Sequence, residues 1–410
     1  MIALGLITRD YIDPEPVLRF LDNARKYGHT IDRVIIAYSH NKDDSAIEVV
    51  AERCPIDLLR VSDSLPLRQQ MQEVGVPSLS INGLLDLPDG GKEGEVPYGA
   101  YRNTVLFKAL LEGIDYVLFF DTDVEPRVLT HLDGADVGWQ EIDFVGTHMV
   151  SLSEDDVSAT TSEYSGYYII PPMSFQGFGE LLTGLGKGMA LEYMDGCHEH
   201  QCLNLGPVSP GMPKPTDKPL GGNLGLNLRQ PWQLAPFYSM IYSFSGMTVK
   251  GRGEDTLLGQ AISGSKGRII DVDLRIFHDT YEDFPDVPDV HKESIRNRFY
   301  WACLGWIGRN PFLSWYLDQR GYLKTDWRSE TTLQRIGLEV GGEKAAKYLG
   351  DPRFRDLAAA FEASFATLPD TINRYHRLME GWRELLSAIG RDRPPTEMED
   401  VDIRDLRLAS

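Results

Sequence analysis

The chain has 410 residues and a net charge of −20 at pH 7, from 41 Lys and Arg against 61 Asp and Glu. That balance argues against a dedicated nucleic-acid binder and against broad adhesion to anionic lipid, while leaving phosphate ligands open to local arginines, a helix N-terminus or a metal. Four Cys make no disulfide scaffold, no uncharged run of 18 apolar residues spans a bilayer, and the first apolar segment has no basic leader, so a soluble, cytoplasmic protein is expected.

Residues 2–7 read as a strand, 14–27 as a helix with Leu18, Leu21 and Ala24 on one face, and 33–38 as a β-branched strand. A helix over 45–52 and a strand over 56–61 follow. This βαβαβ order predicts an α/β fold with a mostly parallel sheet, which binds ligands beyond the carboxyl ends of its strands. Residues 75–97, rich in Gly, Pro and Asp, read as a loop; 101–112 as a helix; and 116–120 as a buried strand. Residues 151–215 look like a polar, irregular insertion over a site. The run PLGGNLGLNL then places Gly221 and Gly222 where a backbone turns tightly or nears a ligand.

Helical pattern returns after Asp255, and 268–277 reads as one strand. Residues 292–318 and 352–390 read as helices. In the second, Ile372, Tyr375, Leu378, Met379, Trp382, Leu385, Leu386 and Ile389 form one apolar stripe. The stripe reads first as intrachain core, with a homodimer or partner surface through the C-terminal helices, or a membrane-surface helix, as alternatives. The expected organisation is an α/β unit over 1–285, a helical region over 286–390 and a flexible tail over 391–410.

The sharpest local signal is YVLFFDTDVEP, residues 116–126. Five apolar residues bury a strand, so Asp121 and Asp123, separated by Thr122, emerge at the carboxyl edge of the sheet. Two close carboxylates repel and are costly to desolvate, and a divalent cation such as Mg²⁺ or Mn²⁺ answers both problems. The plainer reading is a solvated acidic turn. Upstream, Arg102 and Asn103 open a helix facing the same edge, where a guanidinium can hold a carboxylate or phosphate, or simply brace the helix start.

The stretch from Gly99 to Pro126 resembles the hallmark block of GT-A-type nucleotide-sugar glycosyltransferases, specifically the family-2-like inverting enzymes: Gly, Arg-Asn, a short helix, then an apolar strand ending in Asp-x-Asp. The resemblance covers residues 1–280. It implies the Rossmann-like GT-A fold, a UDP- or GDP-sugar donor, a saccharide or small hydroxylated acceptor, and Mn²⁺ or Mg²⁺ as cofactor. Thr8 and Arg9 fall where the family has its first nucleotide-facing loop. Many members carry an Asp directly after the second strand; this chain has Ser39 and His40 there, so base contacts fall to Asp44 or to Asp63 after the third strand.

In GMTVKGRGEDTLLGQAI, glycines bracket Arg252 and the acids Glu254 and Asp255 open a helix, whose dipole stabilises anions in its first turn. Ordinary capping is the alternative. The resemblance assigns Asp255 as the general base that deprotonates the acceptor hydroxyl, with Glu254 beside it on the acceptor side. It assigns His278, ending a strand 23 residues on, as a third metal ligand with Asp121 and Asp123. It also places Gly221, Gly222 and Asn223 under the donor sugar or acceptor. The cluster Cys197, His198, His200 and Cys202 has zinc-type ligands, but its spacing is too compressed for a tetrahedral site. A retaining transferase, a sugar-phosphate nucleotidyltransferase and a non-catalytic carbohydrate-binding protein are the competing readings.

Overall fold

The computed structural model describes residues 1–86, 96–132, 136–188, 203–265, 267–323 and 326–392. In chain order the first part comprises β1 (Ile2–Ile7), α1 (Glu15–Lys26), β2 (Arg33–Tyr38), α2 (Asp44–Ala51), β3 (Ile56–Arg60), α3 (Leu65–Glu73), α4 (Ser78–Leu85), α5 (Tyr98–Leu111) and β4 (Tyr116–Phe120). The middle adds β5 (Val124–His131), β6 (Val137–Glu141), α6 (Phe144–Leu152), β7 (Val157–Thr161), β8 (Gly166–Tyr167), α7 (Phe178–Gly184), β9 (Leu203–Asn204), β10 (Lys214–Pro215) and β11 (Asn223–Asn227). The hairpin β12 (Ile241–Phe244) and β13 (Met247–Lys250) follows, then α8 (Glu254–Gly264), β14 (Arg268–Asp271) and β15 (Ile276–His278). Four helices close the described chain: α9 (Glu293–Gln319), α10 (Trp327–Leu349), α11 (Leu357–Ala366) and α12 (Leu368–Ala388).

Among the described residues, eight strands form the central sheet in the order β10-β14-β7-β11-β4-β1-β2-β3. The strands β1 to β4 run parallel, as do β7 and β14, whereas β11 lies antiparallel between β4 and β7. The strands alternate their side chains between two faces. Ala3, Ile35, Val117 and Phe119 pack with residues of α5, α8 and α12. Leu4, Val34, Leu118 and Phe120 pack with α1, α2 and α6. A further cluster joins α7, the β12–β13 hairpin and α9 to α11.

The α/β expectation holds, with several departures in the elements. Residues 78–85, inside the expected loop, form α4, and Gly83 and Gly381 let α4 and α12 meet backbone to backbone; a Cβ at Gly83 would lie 2.6 Å from the carbonyl oxygen of Arg377. The segment read as an irregular insertion supplies β7, whose five residues are all buried inside the sheet. The single strand expected over 268–277 is two: the backbone turns at Asp273, which has φ 49°, and β15 joins β5 and β6 in a separate sheet.

The α12 stripe is spent within the chain. Ile372, Leu378, Trp382, Leu385 and Leu386 lie in the core cluster against the sheet. Residues 393–410 of the expected tail, and the Cys197–Cys202 cluster, lie outside the described residues. No described helix is long and apolar enough to cross a membrane.

Candidate active site

The site is built where β4 ends. Val117 to Phe120 are fully buried, which fixes Asp121 at the sheet's carboxyl edge. Antiparallel pairing sets Asn223 opposite Phe120 and so lays Gly221 and Gly222 beside Asp121. These glycines leave room for protein side chains: a Cβ at Gly221 would stand 2.4 Å from Nη2 of Arg102, and one at Gly222 2.4 Å from Oδ2 of Asp121. The neighbouring Asn223 is fully buried and faces inward. Its amide donates to the carbonyls of Ser162 and Leu274, and its oxygen meets Nε2 of His148 at 3.0 Å. It ties β7, β11 and the bend before β15 together.

Arg102, from the first turns of α5, is 3% exposed and packs against the rings of Phe119 and Phe237. Its guanidinium donates to Asp121 Oδ1 at 3.2 Å, to Glu254 Oε1 at 3.2 Å and to the carbonyl of Gly221 at 2.7 Å. It is the electrostatic hub between β4, α8 and the glycine turn. Burial opposes its charge, but Asp121, Glu254 and Asp255 more than offset this and raise its pKa. Glu254, 6% exposed, is consumed by that contact and does not face an open acceptor side. Asn103 is also spent internally, donating to the Phe237 carbonyl and accepting its N–H at 2.8 Å each.

The strand β15 pairs antiparallel with β5, setting His278 opposite Val124. This brings Nε2 of His278 within 3.0 Å of Asp123 Oδ2. On the other side of the ring, Nδ1 lies 3.2 Å from Thr280 Oγ1, whose own proton goes to the Tyr167 carbonyl at 2.9 Å. In the tautomer where Thr280 accepts from Nδ1–H, the Nε2 lone pair faces Asp123. Two lone-pair donors facing each other call for a cation between them, a second proton or a metal ion. The donor set fits a hard divalent ion that keeps its other positions for phosphate oxygens and water. Arg298 of α9 also reaches Asp123 at 3.5 Å.

Asp121, expected as the third ligand with Asp123 and His278, lies within electrostatic reach of both and is paired with Arg102. Among the described residues no three His, Cys, Asp or Glu side chains converge to hold a metal. Arg102 holds Asp121, while Asp123 pairs with His278. Burial raises the pKa of Asp121 more than Arg102 lowers it, and Asp123 adds to the rise. Burial works the same way on Asp123, but His278 and Arg298 more than offset it, leaving Asp123 below its ordinary value. The two carboxyls thus differ in role, one paired internally and one presented with an imidazole.

Asp255 is half-exposed at the first turn of α8, after Gly253 at φ 94°. Its Oδ2 accepts the Gly221 N–H at 3.2 Å and its Oδ1 the Thr256 N–H at 2.7 Å, so backbone groups orient the carboxylate beside the glycine turn. The backbone N–H of Arg252 donates to the Gly305 carbonyl at 2.9 Å. Thr8 anchors its loop through the Asp10 and Ala37 carbonyls, while Arg9 and Thr122 are exposed. Asp44 is exposed and bonded to Lys42 at 2.7 Å. Asp63 lines a small cleft of about 70 Å³ with Arg60, Asn103, Thr104 and Arg374.

Several residues at the site carry no local sequence signal. Tyr164, whose hydroxyl takes the Gly222 N–H at 3.0 Å and whose ring lies 4.8 Å from that of His278, comes from the segment read as irregular. Thr280 and Arg298 become visible only when β15 and α9 are folded against β5.

No family model and no curated protein matches the chain. Among solved structures, a mycobacterial protein matches with 16% identity over 79% of this chain and 76% of that one, at a TM-score of 0.36. Glucosyl-3-phosphoglycerate synthase from Mycobacterium tuberculosis with phosphoglyceric acid matches with 14% identity over 79% and 81% of the two chains, at a TM-score of 0.35. The same enzyme with Mn²⁺, UDP and glucosyl-3-phosphoglycerate matches with 12% identity over 79% and 81%, at a TM-score of 0.36.

Proposed function

We propose that the chain is a metal-dependent glycosyltransferase moving a sugar from a UDP- or GDP-sugar to an acceptor hydroxyl, with inversion. The observation that carries this reading is the pair Asp123 and His278 at the end of β4, with Nδ1 tied to Thr280 so that Nε2 is offered opposite the carboxylate. When bound there, a divalent ion supplies positive charge to the departing diphosphate. The chain's own residues do the rest. Arg102 fixes Asp121 and the glycine turn, so the floor of the site does not move as charge develops. Arg298, at 3.5 Å from Asp123, is within a side-chain rotation of a diphosphate at that position. Asp255, oriented by the Gly221 and Thr256 N–H groups, takes the proton from the acceptor oxygen as it attacks the anomeric carbon. Asp63 and the cleft beside it are assigned to the nucleoside.

The test is Asp255→Asn, which keeps shape and removes basicity. Donor binding should change little while turnover falls by about 10²–10⁴, the usual worth of a general base. The product's anomeric configuration, from NMR couplings, should be opposite to the donor's. Normal turnover in Asp255→Asn, or a product of retained configuration, removes Asp255 as an inverting base.

A further inference from the structure

Beside Asp255 lies a group of cations that the transfer chemistry above does not use. Arg309 of α9 is 5% exposed, yet among the described residues it has no carboxylate partner. Among the described residues its Nε has no hydrogen-bond partner, and its other nitrogens reach only Thr256 Oγ1 at 3.5 Å and Asn310 Oδ1 at 3.2 Å. Its side chain lies across the start of α8, where a Cβ at Gly253 would meet its Cδ at 2.6 Å. Lys187, just after α7, is half-buried with its ammonium 4.8 Å from the Trp306 ring centroid and, among the described residues, no carboxylate partner. The stem of Arg252 lies over Gly305 of α9.

These groups feel one another. Burial first, then Arg309, Arg252 and Lys218, push the Lys187 ammonium down to about 7 against the pull of Asp255. A buried guanidinium without a counter-ion is costly, and in a chain of net charge −20 carboxylates to pair with it are abundant. The fold nevertheless brings Arg309 of α9 onto the start of α8, where Arg252 and Asp255 lie on one stretch of chain, with Lys187 of the turn after α7 within electrostatic reach of all three and Lys218 exposed.

We propose that the acceptor is an anionic hydroxy compound, whose phosphate or carboxylate is held by Arg309, Lys187 and Arg252 while its hydroxyl meets Asp255. This rests on the glycosyl-transfer reading and narrows its acceptor. The acceptor's anion supplies the counter-charge that the described chain withholds from these cations. The cations in turn keep the acceptor's own charge from repelling Asp255 as the hydroxyl approaches it.

The experiment uses the full chain, Mn²⁺, the nucleotide-sugar it hydrolyses, and three acceptors of one skeleton: glycerol, glycerate and glycerol phosphate. At least one charged acceptor should exceed glycerol by about 100-fold in kcat/KM, and the carboxylate and phosphate arms show which anion the pocket takes. Lys187→Met and Arg309→Lys should each cut that preference by about 10–100-fold, mainly through KM, the loss expected for a charge-assisted contact. Lys187 is half-buried near the surface, so its variant keeps the test informative if Arg309→Lys does not fold. Equal use of glycerol and both charged acceptors, with donor still consumed, overturns the anion pocket alone; so does a preference unchanged in Lys187→Met. Absence of any donor turnover, to acceptor or to water, overturns the transfer reading beneath it.

Discussion

Replacing Arg102 by Met removes the one cation shared by Asp121 and Glu254 while keeping most of the side chain's apolar volume. The Glu254 side chain is 7% exposed and that of Asp121 32%, so Glu254 suffers more from the loss. Leaving a buried carboxylate without its partner costs about 3–5 kcal/mol. For a chain of 410 residues the unfolding entropy is on the order of 0.9 kcal/mol/K, so the melting temperature should fall by about 3–6 °C. The loss should depend on pH with a definite sign. An unpaired, buried Glu254 has a folded-state pKa above its unfolded value, so the folded state binds the extra proton and the penalty shrinks as pH falls from 8 to 5. Adding Glu254→Gln to Arg102→Met should recover at least half of the lost stability, because the orphaned charge is gone. Thermal melts of the three variants at both pH values are the assay. A melting temperature for Arg102→Met that matches the parent, or a double variant no more stable than the single, would refute the reasoning.

Three further outcomes follow from the geometry. Thr280→Val removes the acceptor that fixes Nδ1–H of His278, and should weaken Mn²⁺ binding in the presence of UDP by about 10–100-fold, measured by titration calorimetry. Gly222→Ala puts a Cβ 2.4 Å from Asp121 Oδ2 and should cost at least tenfold in turnover at a near-parental melting temperature, since Asp121 is displaced while the core is untouched. His148 is fully buried, and burial holds its pKa down to about 4 from 6.5, so the unfolded chain binds more protons in that interval. Stability should fall by up to about 3 kcal/mol as pH drops from about 6.5 to 4, and His148→Gln should flatten that limb in denaturant titrations.

What the sequence revealed and what it hid have physical causes. The run VLFF before Asp121 is an unbroken apolar strand, and its burial follows from composition alone. By contrast, β7 is made of Ser, Ala and Thr, which read as surface. It is buried because Ser158 meets Gln233, Thr160 meets His148 and Thr161 donates to the Asn223 carbonyl, pairings that exist only in three dimensions. The helix α10 was not read from the sequence, and it carries Gly337, Gly341 and Gly342 within it. They are contact points: a Cβ at Gly341 would lie 2.3 Å from the Leu181 nitrogen, so α7 and α10 pack almost backbone to backbone. The glycine pair 221–222 was legible as a close approach, but what approaches is Arg102 and Asp121. The cations Lys187, Arg298 and Arg309 lie in unrelated stretches of sequence, and no local pattern could have joined them to Asp123 or Asp255.

The central claim is that Asp123 and His278 hold a divalent ion that in turn holds a nucleotide diphosphate. Its most direct measurement is calorimetric titration of UDP and GDP into the full chain with Mn²⁺, with chelator, and with Mn²⁺ in the His278→Ala variant. The account predicts saturable binding of at least one nucleotide with Mn²⁺, and a loss of at least tenfold in affinity both on chelation and in the variant. Nucleotide binding of equal strength with and without metal, or unaffected by the loss of His278, would contradict it.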